Sequence, residues 1–171
     1  MSTFSSLLFI VLQASQAFQL RSSSTVSTSK EVLHKYLGTP SHWPEIVLSS
    51  HSVKRPSFSK NPVDSPLKVG DYVEEVFGLP HILPLSVVWQ CVVSDVSQGV
   101  LEFNSKDGVP GFARQCKMRF EMRGIATDKC NVDLIMEFEP TNPILPLGVP
   151  LLNIDNNLAL KVLLPRAISR Q

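Results

Sequence analysis

The sequence predicts an α+β domain: a curved antiparallel sheet of about seven strands around one long C-terminal helix, with two short helices between strands 1 and 2. Three observations predict it. The segments "RQCKMRFEM" (114–122) and "CNVDLIMEF" (130–138) alternate apolar and polar residues, the period of half-buried strands. The segment "TSKEVLHKYLGTPSHWPEIV" (28–47) holds clipped helical turns just ahead of a β-type run. The apolar "PLLNIDNNLALKVLLPRAI" (150–168) then reads as the closing helix.

In chain order, a first strand is expected near 20–27, although its sequence is rich in Ser. Thr28 and Glu31 have the spacing of a capping box, and Val32, Leu33, Tyr36 and Leu37 then share one helical face. Gly38 suits a left-handed stop, Pro40 starts a second short helix, and Pro44 closes it. Strands follow at 45–53, 71–77, 85–93 and 99–103, with the Pro- and Ser-rich 54–68 as an irregular loop. Trp89 and Cys91 share a face of the fourth strand, and Leu101 with Phe103 a face of the fifth.

The last two strands form a hairpin through "RGIATDK". Cys116, Met118, Phe120 and Met122 face inward, as do Cys130, Val132, Leu134, Met136 and Phe138; Glu121, Asp133 and Glu137 face outward. The simplest register sets Met122 opposite Cys130, which leaves Cys116 roughly 20 Å from Cys130 along the ladder, too far for a disulfide. The closing helix is expected over 151–164, with Ile154, Leu158 and Val162 in one i+4 row toward the sheet and Pro165 ending or kinking it.

The chain has 171 residues, 43% of them hydrophobic and 18% charged, which fits one domain with a real interior. Lys plus Arg (16) nearly cancel Asp plus Glu (15), so no nucleic-acid partner is expected. The apolar "FSSLLFIVLQASQA" ends in small residues and reads as a signal peptide over 1–17. The Ala17–Phe18 junction, followed by hydroxyl residues with no acid until Glu31, resembles the bipartite plastid presequence of algae with secondary plastids, extending to about 29. That resemblance implies delivery to a plastid; secretion is the alternative.

No catalytic set stands out. His34, His42, His51 and His81 lie apart, His34 and His42 reading as exposed helix–loop residues, and the three cysteines lack C-x-x-C spacing. No metal and no cofactor is expected. Only one of Glu74 and Glu75 can face inward, and a solvated edge is favoured over a general base. "GVPGF" lacks the strand-to-helix context of a phosphate loop. Arg114 or Asn157 would be the polar groups to orient a ligand.

The element order, carried by "TSKEVLHKYLGTPSHWPEI", "KVGDYVEEVFG", "GVLEF", "GFARQCKMRFEM", "MEFEP" and "NNLALKVLL", resembles the helix-grip fold of the START-like superfamily. That superfamily (SRPBCC) includes polyketide cyclases/dehydrases, lipid-transfer domains and coenzyme-Q-binding proteins. The resemblance spans 20–171 and implies a non-catalytic domain that binds or transports a lipid, quinone, isoprenoid or pigment. Its cavity would be lined by Trp89, Cys91, Leu101, Phe103, Cys116, Met118, Phe120, Met122, Val132, Leu134, Met136 and Phe138, with Ile154, Leu158 and Val162 from the helix. The expected partner is a hydrophobic small molecule, met by a monomer that touches membranes transiently. A cyclase- or dehydratase-like enzyme in the same cavity is the alternative, and it would need an acid or base aimed inward.

Overall fold

The computed structural model describes residues 17–79, 83–143 and 145–170. Apart from Ala17, the expected signal peptide lies outside the described residues, as does His81. The elements are β1 (Phe18–Val26), α1 (Lys30–Gly38), a 3-10 turn (Pro40–His42), α2 (Trp43–Ile46), β2 (Ser50–Lys54) and β3 (Tyr72–Leu79). They continue as β4 (Leu83–Asp95), β5 (Val100–Ser105), β6 (Ala113–Ala126), β7 (Lys129–Pro140), α3 (Leu145–Leu158), a π-turn (Ala159–Leu163) and α4 (Leu164–Ile168). The seven strands form one antiparallel sheet in the order β1-β7-β6-β5-β4-β3-β2. The helices pack over its concave face, which is the helix-grip arrangement.

Alternation sets the concave face. Val26, Val73, Val87, Trp89, Cys91, Leu101, Phe103, Met118, Phe120, Met122, Cys130, Val132, Leu134 and Phe138 are buried together with Leu33, Tyr36, Leu37, Trp43, Leu160 and Leu164 of the helices. The β6–β7 hairpin pairs Met122 with Val132 and Phe120 with Leu134, two residues from the expected register. Both strands run on to Ala126 and Lys129, so Thr127 and Asp128 make a tighter turn than the expected loop, and an irregularity between Gly124 and Ala126 takes up the odd residue. The shift is even, so every side chain keeps its face. All three cysteines are free and buried, and burial pushes the Cys91 and Cys116 thiols up to about 11, away from thiolate chemistry.

The helical segment departs from expectation in its caps. Ser29, not Thr28, caps α1, its hydroxyl accepting from the Val32 N–H. Gly38 ends the helix without a positive φ, and a Cβ there would meet Leu101 and Pro66 at an ordinary 3.8 Å, so neither backbone nor packing requires glycine. Val32 is exposed, while His34, expected outside, is buried. Pro44 begins α2 rather than closing the segment, because a proline in the first turn lacks no needed N–H. Consequently Glu45 and Ile46 are helical, and β2 starts only at Ser50.

Two predictions arise from this scaffold. Gly99 closes the β4–β5 turn at φ +66°, and a Cβ there would sit 2.1 Å from the Met122 carbonyl oxygen. Gly99→Ala is expected to lose at least about 1–2 kcal/mol from the left-handed backbone alone, with the clash adding more, measured as a lower urea midpoint. His34 donates from Nε2 to the Val100 carbonyl at 3.3 Å, and burial holds its pKa below the usual 6.5. The unfolded chain therefore takes up a proton before the folded one does. Stability from His34 is present above 6.5 and falls as pH drops from there through the lower folded value. His34→Gln should flatten that part of the stability–pH curve, and an unchanged slope would rule the origin out.

Candidate functional site

β3 carries the group that changes the reading of the interior. Val73, Glu75 and Phe77 share its concave face, so Glu75 projects inward with only 8% exposure. Trp89, one strand away, donates its indole N–H to Glu75 Oε2 at 2.9 Å. Burial raises the Glu75 pKa, and the Asp155 carboxylate adds to the rise; the Trp89 bond and nearby Ser50 oppose it. The Ser50 hydroxyl lies close enough to influence Glu75 without completing a hydrogen bond of normal geometry, and its oxygen is buried without a partner.

The helix supplies the opposing wall. Asp155 of α3 accepts from Ser49 Oγ at 2.5 Å through Oδ2, while its Oδ1 is buried without a partner. Asn156, the next residue, is buried and places its amide nitrogen 3.2 Å from Met136 Sδ. Two carboxyl groups thus approach one seam, from β3 and from α3, beside an apolar face. A carboxyl kept protonated there can donate a hydrogen bond, and a carboxylate beside it can accept one. Among the described residues, no cluster of three or more His, Cys, Asp or Glu side chains has the arrangement of a metal site.

The structure brings the expected strand residues together: Trp89, Cys91, Leu101, Phe103, Cys116, Met118, Phe120, Met122, Val132, Leu134 and Phe138 are buried on the concave face, with Met136 partly buried beside them. The expected helix row is corrected. Ile154 is 63% exposed, and the helical residues that meet the sheet are Leu160 and Leu164 in the core, with Leu145, Val149, Leu152 and Leu163 against it, instead of Leu158 and Val162. Two causes combine. No charged residue precedes Asp155 in α3, so hydropathy cannot choose a face there, and the π-turn at Ala159–Leu163 shifts the phase of the helical residues beyond it. Pro165 continues the helix as the start of α4 instead of ending it.

Arg114 is exposed and paired with Glu139 at 2.9 Å, and Asn157 bonds to Asn153 of its own helix. Neither reaches the inner seam, where Glu75, Ser50 and Asp155 lie with Ser49 and Asn156 beside them. On the convex face Glu121, Asp133 and Glu137 lie outward as expected, tied into ion pairs with Arg119, Arg21 and Lys117. A cleft of about 400 Å³ opens on that same outer face beside Gln90, Asn104 and Lys117, and one of about 260 Å³ lies between Glu45 and Arg166. Neither is the seam between sheet and helix.

No family model matches the chain, and no curated protein matches it. Solved structures do. The major latex-like protein 151 of Panax ginseng superposes with a TM-score of 0.58 at 16% identity, covering 84% of this chain and 95% of its own. The Zhui aromatase/cyclase from Streptomyces reaches 0.66 at 10% identity, covering 85% and 92%. Norcoclaurine synthase from Thalictrum flavum reaches 0.57 at 13% identity, covering 88% of each chain. At such identities the likeness is one of fold, and that fold is the helix-grip fold.

Proposed function

We propose that the protein binds an apolar small molecule, such as a lipid, quinone, isoprenoid or pigment, between the concave sheet and α3, as a carrier or sensor. One observation carries this reading. From the strands and α3, Phe18, Leu20, Phe77, Met136, Val149 and Leu152 pack only partly buried against the apolar core, a set of flexible and aromatic side chains that suits an apolar guest. Met136 adapts readily to a guest. The neutral fluorophore phenylnaphthylamine tests it. Wild-type protein should brighten the probe and shift its emission to the blue. Leu152→Trp, which adds bulk on the helix side of the proposed cavity, should abolish the change. A probe that never responds to wild-type protein sinks the proposal.

Glu75 favours a second reading, a cyclase- or dehydratase-like enzyme, since it is the inward acid such chemistry needs. The fold neighbours include an aromatase/cyclase and norcoclaurine synthase, which supports this reading. Mass analysis of a bound ligand after incubation separates the two: unchanged for a carrier, altered for an enzyme. The presequence-like start supports a plastid address, with secretion as the alternative. N-terminal sequencing of the native protein tests both, and a retained Met1 counts against each.

A further inference from the structure

The polar seam narrows what could enter. Resting on the binding reading above, we infer that Glu75, Ser50 and Asp155 form a head-group site for an uncharged hydroxyl, so that the ligand is an apolar alcohol and not a fatty-acid carboxylate. Ser50 is 4% exposed and its hydroxyl oxygen has no partner; Asp155 Oδ1 is likewise buried and unpartnered. Two buried polar atoms left open on one seam are an unmet demand for hydrogen bonds. Their chemistry is specific. Asp155 Oδ1 can only accept while ionised, so the incoming group must bring a donor. Ser50 can donate, and the Glu75 carboxyl, its Oε2 already accepting from Trp89, can donate once protonated, so the same group must also accept. One hydroxyl does both.

A carboxylate meets the opposite situation. It brings no proton for Asp155 Oδ1, and its charge would be buried beside the Asp155 carboxylate. Lys54, on neighbouring β2, does not answer it: it is exposed and paired with Glu74 on the outer side of β3. The site thus selects by rejecting charge as much as by bonding the hydroxyl.

Displacement of phenylnaphthylamine by dodecanol and by dodecanoate, at neutral pH on the full chain, decides the matter. Dodecanol should displace the probe at least about tenfold more effectively than dodecanoate. Asp155→Asn, which removes the charge and keeps the shape, should narrow that gap. Ser50→Ala should weaken dodecanol selectively and provides an independent arm if Asp155→Asn does not fold. Equal displacement by both chains, unchanged in both variants, would overturn the head-group site while leaving the apolar cavity standing. Dodecylamine displacing better than dodecanol would show cation recognition and overturn it too. Absence of any probe binding would remove the cavity and this site together.

Discussion

Trp43→Ala is expected to lower the stability of the fold by about 3–5 kcal/mol, the range for deleting a large buried aromatic side chain. Trp43 is 3% exposed at the start of α2 and meets the Phe103 ring edge-on at 5.2 Å. Its indole also donates to the Leu37 carbonyl at 2.9 Å, fastening α2 to the end of α1. Losing the ring removes apolar contact with β5 and leaves a cavity between the helical plug and the sheet. Trp43→Phe separates the contributions, because it keeps an aromatic body but leaves the Leu37 carbonyl without this donor, costing about 0.5–1.5 kcal/mol for the bond plus the smaller ring's lost area. Urea unfolding followed by circular dichroism measures both. A loss below about 1 kcal/mol for Trp43→Ala, no more than one hydrogen bond contributes, would show that the plug is held elsewhere.

The second large effect sits at Glu75. Glu75→Ala strands the buried Trp89 N–H, which costs about 1–3 kcal/mol before any cavity is counted. Glu75→Gln keeps an oxygen for Trp89 and should cost far less. The pH dependence is the sharper readout. Burial raises the folded pKa of Glu75 above 4.5, so the folded chain holds this proton to higher pH than the unfolded chain does. Its stabilising contribution is present below 4.5 and is lost as pH rises through the folded value. Glu75→Gln removes that loss, so the variant should gain on wild type as pH rises. A constant difference across the range would mean that Glu75 titrates as an ordinary surface acid. His34 slopes the other way, so the two variants check each other.

Strands 114–122 and 130–138 were legible because one face of each is apolar and the other charged, and a sheet with one wet face leaves that imprint. The strand 71–77 shows where the signal thins. Tyr72, Glu74 and Val76 alternate with Val73, Glu75 and Phe77, each set holding one acid among apolar residues. The slightly more apolar set was the clue that Glu75 turns inward. Register was harder than phase, since an even slip preserves every face and only the turn decides it. The helix face failed for a different reason: Leu145–Leu152 is apolar all round, and Leu147, Leu151 and Ile154 are exposed. The polar seam depends on Ser49 meeting Asp155 across more than a hundred residues, and no local pattern encodes that.

The sheet order also sets a timetable for synthesis. Among the described residues β1 pairs only with β7 in the sheet, from Phe18 opposite Phe138 to Val26 opposite Cys130. The strand made first therefore waits for the strand made last, a gap of 120 positions between Phe18 and Phe138. At ribosomal speeds of about 5–20 residues per second, that wait lasts roughly 6–24 seconds. Throughout it, β1 is a nascent segment with an open edge, the kind that pairs with the wrong chain if it is greasy. Its centre is Arg21, Ser22, Ser23, Ser24 and Thr25, a sequence poor in hydrophobic driving force and rich in groups that water can satisfy. The hydroxyl run that makes β1 a faint strand on paper keeps it unentangled on the ribosome until β7 arrives.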